Sequence, residues 1–196
     1  MQINNVTIVT ISKIIIIKTM SNRNHTKQYI LLALFALMQK MDYEEISVKD
    51  ICTRAGVSRM SFYRYYSKKD DVFINYCDER FEEFYGIIQD KGITSFKELT
   101  LEAFRFIKRY TRQINVLIQA HREFMLLEQL NSYARFVIMN FKNDFLSEQK
   151  KNPLFCYFIA GGLYNTTMYW VTNEIKSSPE ELNDMFYKMI EGKMDD

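Results

Sequence analysis

Three helix-start signals lie close together in the stretch between Ile46 and Val72. A helix leaves its first backbone N–H groups without partners, and a short polar side chain at the N-cap accepts a hydrogen bond from one of them. Ser47, Ser58 and Ser67 stand where such caps are expected. Because the caps are about ten residues apart, the stretch predicts two short helices, a tight turn between them and the entry to a third helix.

The first short helix is predicted to cover residues 48–55. Ser47 and Asp50 have the spacing of a capping box, in which the side chain of each residue accepts from the backbone N–H of the other. Apolar residues recur at i, i+3, i+4 and i+7 within the range, so one face is expected to pack inward. Gly56 is expected to end the helix, because glycine tolerates the left-handed conformation of a tight helix exit.

The second short helix is predicted to run from Arg59 to Tyr65, with Ser58 as its N-cap. The second helix of a helix-turn-helix lies in the major groove of DNA and presents its N-terminal residues to the base edges. Arg59, Met60 and Ser61 occupy that first turn. The order of these signals therefore predicts a DNA-binding helix-turn-helix.

The third helix-start signal pairs Ser67 with Asp70, and we predict a capping box there as well. Lys68 and Lys69 lie in the first turn of the helix that follows. Backbone N–H groups at a helix start and cationic side chains both bind phosphate. The entry to this helix is therefore expected to contact the DNA backbone.

The distribution of charge divides the chain in the same way. Residues 1–70 contain 11 Lys and Arg against 5 Asp and Glu, a net charge of +6, and residues 71–196 contain 15 against 19, a net charge of −4. Clustered basic side chains are the electrostatic footprint of a surface that binds nucleic-acid phosphates. A solvated cationic face gives the same count, and the capped helices favour nucleic acid over it.

From Arg23 to Tyr76 the chain resembles the TetR family of transcriptional regulators. The resemblance rests on the capped second helix, the Gly-Val-Ser turn at residues 56–58, the aromatic-rich recognition helix and the Lys-plus-acidic opening of helix four. It implies an all-α fold, with an N-terminal three-helix helix-turn-helix DNA-binding domain and a C-terminal helical domain for ligand binding and dimerisation. It also implies a homodimeric repressor that a small-molecule effector releases from a palindromic operator.

The resemblance also implies roles for individual residues, carried over by position. The implied base or near-base contacts are Lys49, Arg59, Met60 and Ser61. The implied phosphate or positioning contacts are Ser47, Tyr63, Tyr65 and Lys69, to which the helix start described above adds Lys68. Arg59 and Met60 stand at positions where the family varies, so the resemblance does not fix the operator sequence.

The small number of helix-breaking residues favours an all-helical protein, since only two prolines and six glycines interrupt long stretches of helical periodicity. We predict a DNA-binding domain at residues 21–67 and a regulatory and dimerisation domain at residues 68–196. Residues 1–20 are expected to be an extension, too short and too interrupted for a membrane span or a signal peptide. The alternatives for this segment are an extra strand, an interaction arm, or a native start at Met20.

Periodicity and capping also predict the helices outside this stretch, with a capping box of Ser95 and Glu98 expected before one of them. Their expected ranges are 24–41, 68–89, 96–110, two or three helices within 115–150, 154–175, and a last helix after Ser178-Pro179. His121 and Asn131 are the expected break points within 115–150.

The last two helices are the predicted dimer interface, because regulators of this family pair them into a four-helix bundle. Gly161 and Gly162 would allow close helix approach. Interfaces favour aromatic and methionine side chains. The apolar candidates are Tyr157, Phe158, Leu163, Tyr164, Met168, Tyr169, Trp170, Met185, Phe186, Tyr187 and Met189, each of which has a place in the protein's own core as its alternative. The pattern Gly-Gly-x-Tyr, a later Trp and Ser-Pro-Glu-Glu is also similar to the dihydroxyacetone-kinase regulator-like subset of the family.

An effector pocket is expected from the family resemblance. Effector cavities are mostly apolar and contain a few polar groups. The candidate lining residues are Phe104, Tyr110, His121, Phe124, Met125, Tyr133 and Tyr164, and ordinary core packing is the alternative for each. An effector that binds better to a conformation with low operator affinity would release the DNA, and the operator would oppose the effector equally.

Other function classes find little support in the residues. The sequence contains no His-x-x-x-His pair, no Gly-x-Ser-x-Gly elbow and no phosphate-binding glycine loop, so we predict no enzyme, no cofactor and no metal site. Cys52, Cys77 and Cys156 are widely separated, which predicts reduced core residues in a cytoplasmic protein. The alternative function is a coactivator or adaptor with a helix-turn-helix fold that acts through a protein partner. Arg59 and Lys68 suit DNA better than this alternative.

Overall fold

A computed structural model describes residues 25–141, 152–173 and 176–191. These residues form helices joined by short turns, and no strand occurs among them, which confirms the predicted all-α fold. They divide into two compact units, with the division between Phe73 and Ile74. The predicted extension at residues 1–20 lies outside the described residues, and the predicted domain limits stay predictions.

The first unit consists of short helices around one apolar centre. Helix α1 covers residues 25–38, a 3-10 turn covers Tyr43–Glu45, α2 covers Val48–Ala55 and α3 covers Arg59–Tyr63. Helix α4 covers Lys69–Asp90. The four helices and the residue after the 3-10 turn all contribute side chains that are at most 2% exposed: Ile30, Leu34, Ile46, Ile51, Phe62 and Val72.

Helix α3 is shorter than the sequence predicts. The expected range reaches Tyr65, whereas the helix ends at Tyr63 and residues 64–65 form a turn. The carbonyl of Phe62 accepts from the backbone N–H groups of both Tyr65 and Tyr66, at 2.9 and 3.1 Å. Such a shared carbonyl tightens the last turn towards 3-10 geometry and ends the helix.

The second unit contains most of α4 and the helices that follow it. These are α5 (Phe96–Arg109), α6 (Thr111–Gln119), α7 (Phe124–Asn140), α8 (Pro153–Thr172) and α9 (Pro179–Glu191). Helix α7 packs against α8, α5 against α9, and α6 against α8. Their shared core includes Ile88, Phe96, Leu99, Phe104, Val137, Ile138, Ile159, Leu163, Trp170 and Phe186.

Two predicted helix starts in this unit are confirmed. The Ser95 hydroxyl accepts from the Glu98 N–H at 3.1 Å at the start of α5. Ser178 and Glu181 form a capping box at the start of α9, with bonds of 3.2 and 2.8 Å. Pro179 occupies the first helical position, where its missing N–H leaves no helical bond unmade.

Of the two expected breaks after α5, one is confirmed. His121 lies between α6 and α7 with a φ of 52°. Asn131 lies inside α7, so the break predicted there is wrong. The packing of α7 along α8 outweighs the weak helix preference of asparagine. The parts of the predicted ranges at residues 142–150 and 174–175 lie outside the described residues.

The three cysteines are free and buried, as predicted. Burial raises the pKa of the Cys77 thiol to about 12 and also raises the pKa of Cys52. No helix in the part of the chain that the structure describes is long and apolar enough to cross a membrane.

Candidate nucleic-acid interface

Helix α2 is fixed at both ends by the residues that the sequence predicts. The Ser47 hydroxyl accepts from the Asp50 N–H at 3.2 Å, and the Asp50 carboxylate accepts from the Ser47 N–H at 3.0 Å. Hydrogen bonds from the Ser47 side chain and backbone lower the pKa of Asp50. Gly56 ends the helix with a φ of 67°, which glycine adopts without a Cβ clash. The chain therefore leaves α2 through a tight turn.

Helix α3 follows this turn and is held by an N-cap and by one buried side chain. The Ser58 hydroxyl accepts from the Ser61 N–H at 3.1 Å, which confirms the predicted N-cap. Phe62 is fully buried and ties the helix to the core of the first unit. A helix of five residues has little stability of its own, so this cap and this anchor hold it in place.

The outer side of α3 carries three side chains that can reach a ligand. Arg59 is exposed, Met60 is 80% exposed and Tyr63 is 50% exposed. The guanidinium carbon of Arg59 lies 6.0 Å from the centroid of the Tyr63 ring. A guanidinium group pairs with guanine, an apolar side chain packs against the thymine methyl group, and a phenol hydroxyl binds phosphate. The exposed side of α3 therefore carries groups suited to DNA.

The entry to α4 is capped by a different residue from the one predicted. The carboxylate of Asp71 accepts from the N–H groups of Ser67 and Lys68, at 2.8 and 3.0 Å. Asp70 instead accepts a hydrogen bond from the hydroxyl of Tyr43. The capping box predicted between Ser67 and Asp70 is therefore wrong, because a tertiary partner engages the Asp70 side chain.

The two lysines at this entry have different surroundings. The Lys68 side chain is 64% exposed, and its Nζ lies 3.5 Å from Asp70. The Lys69 side chain is 18% exposed, and its Nζ donates to the carbonyl groups of Tyr43 and, at 3.0 Å, Ile46. The sequence predicts phosphate contact for both, but Lys68 is the one that presents most of its side chain to solvent.

The remaining predicted contact residues also lie in the first unit. Ser47 and Lys49 are exposed at the start of α2, and Tyr65 is half-buried in the turn after α3. The Ser61 hydroxyl is within 2.9 Å of the hydroxyl that caps α3. The roles of these residues on DNA stay predictions. Tyr43, which holds the first two residues of α4, shows no local sequence signal that indicates this contact.

Three of the predicted effector-lining residues contact other elements of the second unit. Phe104 is fully buried in the core. The Tyr110 hydroxyl donates to Glu83 at 2.9 Å, and the Tyr133 hydroxyl donates to Asp78 at 2.7 Å. Burial raises the pKa of both tyrosines, and these carboxylates add to the effect.

The other four predicted lining residues lie on α8 or where α6 joins α7. His121 and Phe124 are exposed there, and Met125 is buried. Tyr164 is half-buried on α8, and burial together with the nearby charge of Glu123 raises its pKa. Effector binding by these residues stays a prediction.

Comparison with known proteins agrees with this geometry. The profile described as bacterial regulatory proteins of the tetR family matches residues 30–76, and the profile described as a transcriptional regulator C-terminal region matches residues 94–192. The HTH-type transcriptional regulator YxbF of Bacillus subtilis strain 168, named as uncharacterized, is 24% identical over 170 residues. That match covers 82% of this chain and 43% of the relative, so the chain spans less than half of the relative's length.

Two solved structures are similar in fold. A TetR transcriptional regulator from Streptococcus agalactiae 2603V has a TM-score of 0.61 at 19% identity, covering 89% of this chain and 98% of its own. A TetR-family structure from Syntrophomonas wolfei strain Goettingen has a TM-score of 0.51 at 19% identity, covering 86% and 94%. The names given to these proteins describe transcriptional regulators rather than enzymes, and the similarity to the dihydroxyacetone-kinase regulator-like subset stays a prediction. The chain belongs to the TetR family of bacterial transcriptional regulators.

Proposed function

We propose that this regulator is a homodimeric, cytoplasmic repressor that binds a palindromic operator and leaves it when a small molecule binds the second unit. The observation that carries operator binding is the form of α3, which is capped by Ser58, anchored by the buried Phe62 and exposed at Arg59 and Met60. A helix held in this way can enter the major groove without being ordered first. The net charge of +6 over residues 1–70 favours the approach to phosphate.

The exposed groups of this unit divide into base-reading and phosphate-binding sets. Arg59 is assigned to a guanine, through paired hydrogen bonds, and Met60 to the methyl group of a thymine. Lys49 and Ser61 lie beside them as near-base contacts. Phosphate contacts position the unit and carry no sequence information; the residues assigned to them are Ser47, Tyr63, Tyr65 and Lys68.

A binding experiment on the DNA that flanks the protein's own gene tests this assignment. The full-length protein is titrated against that duplex and against a scrambled duplex of equal length and composition, over a range of salt concentrations. Specific binding should exceed scrambled binding by at least about 10³-fold, and the footprint should cover two half-sites about one helical turn apart or a multiple of it. Arg59→Ala should cost about 1–3 kcal/mol and relax discrimination at one base pair. Equal and weak binding to all duplexes at low ionic strength would contradict the proposal and favour the adaptor alternative.

The dimer is proposed to form through the outer face of the last two helices, here named the α8–α9 face. Its apolar members are each at least 56% exposed: Leu154, Tyr157, Phe158, Tyr169, Met185 and Met189. Gly161 follows Tyr157 by four residues and so lies on the same side of α8. A Cβ built at Gly161 would meet nothing within 4 Å. An exposed apolar surface of this kind marks an interaction site. A two-fold dimer uses the same patch on both copies, so a second copy of this chain is the occupant we assign.

A pair of methionine substitutions tests the α8–α9 face. Met185 on α9 is 56% exposed and Met139 on α7 is 54% exposed, so the two side chains are matched in type and exposure. Met185→Asp should yield monomers in analytical ultracentrifugation at micromolar concentration, because a dimer would bury the new carboxylate without a partner. Met139→Asp should leave the dimer intact. A dimer that tolerates Met185→Asp, or one that either change disrupts equally, would contradict the choice of this face.

The effector is proposed to bind inside the second unit near Tyr164. In the described part of this unit, side-chain oxygen atoms of Glu123 and Thr167 are buried without a hydrogen-bond partner. Thr167 is 1% exposed and lies about one turn beyond Tyr164 on α8, and the charge of Glu123 acts on the same tyrosine. Buried polar groups are normally hydrogen-bonded. A ligand that offers donors to these oxygens would therefore gain polar contacts as well as apolar ones.

Paired threonine substitutions on α8 test this site. The probe is a low-molecular-weight extract of the source cells, added to the complex with the operator duplex, and the fall in DNA affinity is measured. Thr167→Val should weaken the response to the extract, because the buried hydroxyl is removed. Thr172→Val removes an exposed hydroxyl that is bonded within its own helix and should respond as the unmodified protein does. Equal responses from both variants would contradict the assigned position.

A further inference from the structure

The ammonium group of Lys69 is directed at three backbone carbonyl groups of the segment between α1 and α2. Its Nζ donates to the carbonyl of Tyr43 and lies 3.0 Å from that of Ile46 and 3.3 Å from that of Glu44. It also lies 4.4 Å from the centroid of the Tyr43 ring. An ammonium group has three N–H donors and no acceptor. Three carbonyl groups of the first unit are therefore enough to engage all of its donors.

These carbonyl groups lie at the end of the 3-10 turn Tyr43–Glu45. The carbonyl of Tyr43 also accepts from the backbone N–H of Ile46 at 3.2 Å, and the last carbonyl groups of a helical turn carry the negative end of the backbone dipole. The three residues of this turn include two acidic residues, Glu44 and Glu45, and no basic residue. Lys69 therefore supplies, from the start of α4, the cation that the turn itself lacks.

Asp70 holds the same tyrosine at its other end. Tyr43 is 5% exposed, and its hydroxyl donates to the Asp70 carboxylate. Ser47, the N-cap of α2, follows the 3-10 turn directly after Ile46. The contacts of Lys69 and Asp70 with Tyr43 therefore fix the start of α2 to the first turn of α4.

We propose that Lys69 is a positioning residue, which holds α2 and α3 in the orientation that DNA recognition needs, and that its neighbour Lys68 makes the phosphate contact. The proposal rests on the operator binding proposed above. Moving the Lys69 ammonium group to a phosphate would break its bonds to the carbonyl groups, and its side chain is 18% exposed. Lys68 is 64% exposed and its nearest carboxylate, on Asp70, is 3.5 Å away. Such exposed ion pairs are weak and exchange easily.

The paired changes Lys69→Met and Lys68→Met test the two roles, because each removes one charge and keeps an unbranched side chain. The probe is a duplex selected by the unmodified protein from a randomised library, compared with a scrambled duplex across a salt series. Lys68→Met should lower the slope of log affinity against log salt by about one and leave the ratio of selected to scrambled affinity unchanged. Lys69→Met should leave the slope unchanged and lower the ratio by about tenfold, a loss similar to that from one mismatched base pair.

Tyr43→Phe provides a second variant that alters no charge and keeps the ring and the carbonyl groups. It removes the hydroxyl bond to Asp70 and should lower the affinity ratio at an unchanged slope. Circular dichroism at the assay temperature shows whether each variant is folded, and if Lys69→Met is not, Tyr43→Phe decides. The proposal is overturned if Lys69→Met lowers the slope by about one at an unchanged ratio, or if neither Lys69→Met nor Tyr43→Phe lowers the ratio. Failure of the unmodified protein to select any duplex would instead contradict the proposed function itself.

Discussion

The buried pair of Thr100 and Asn183 gives a measurable value for the contact between α5 and α9. The Thr100 hydroxyl donates to the Asn183 side-chain oxygen at 2.6 Å and lies 3.2 Å from the carbonyl of Phe96. The Asn183 amide donates to the carbonyl of Lys97 at 3.1 Å. Thr100 and Asn183 are 2% and 1% exposed. Neither side chain can exchange its partner for bulk water, so each loss should appear in the free energy of unfolding.

Thr100→Val removes the donor and leaves a buried acceptor without its bond, which should cost about 1–3 kcal/mol. Asn183→Leu should cost about 1–2 kcal/mol for two lost hydrogen bonds, because Thr100 can still donate to the Phe96 carbonyl. The double variant should lose at least about 1 kcal/mol less than the sum of the single losses, since no polar atom of the pair then stays unpaired.

Urea unfolding at one protomer concentration measures this double-mutant cycle. Thr111→Val is the matched control, because its hydroxyl makes an exposed bond of 3.2 Å from the start of α6 to the Lys108 carbonyl of α5, and it should change stability by less than about 0.5 kcal/mol. Additivity of the two substitutions within about 0.5 kcal/mol would refute the reasoning.

Two further predictions concern burial in the second unit. The pKa of Cys77 is raised to about 12 by burial, so the stability of the protein should fall as pH rises above about 9, where an unfolded thiol ionises first, by up to about 1.4 kcal/mol per pH unit. Cys77→Ala should flatten this dependence in urea titrations between about pH 9 and 10, and an unchanged slope would count against the burial. Gly162→Ala should lower the unfolding midpoint relative to Gly161→Ala, because a Cβ at Gly162 would lie 2.9 Å from the Phe186 ring, whereas a Cβ at Gly161 has open space. The reverse order of the two midpoints would contradict the packing of α8 on α9.

The helix starts that the sequence predicts are those that a single turn of helix decides. Ser47, Ser95 and Ser178 each bond to the backbone N–H three residues further on, as expected from spacing alone. Gly56 ends α2 in the left-handed conformation for an equally local reason. Because these bonds join near neighbours, the residues that make them are visible in any short stretch of sequence.

At the candidate interface, the features that the sequence could not predict depend on hydrogen bonds between residues that are far apart in the chain. Asp70 and Asp71 are both close enough to Ser67 in the sequence to cap the start of α4. Asp71 forms the cap because Asp70 accepts from the hydroxyl of Tyr43, which is 27 residues away in the chain. The different roles proposed for the two lysines have the same origin. Lys69 is drawn to carbonyl groups more than twenty residues earlier in the chain. The position of the recognition helix in the chain can therefore be predicted from local sequence, whereas the roles of the residues around it depend on contacts that form only in the folded unit.

Helix α8 shows why the proposed dimer face could not be separated from the core by sequence. Apolar residues occur on all sides of this helix, so no amphipathic pattern marks the buried side. Leu163 and Trp170 lie in the core, whereas Tyr157 and Phe158 are each 60% exposed, although all four are of similar character. A helix that is apolar on every side is normally buried on every side. The core of one protomer covers one side of α8 and leaves another apolar side exposed. Binding of a second copy of the chain would bury that exposed side and so account for its apolar residues.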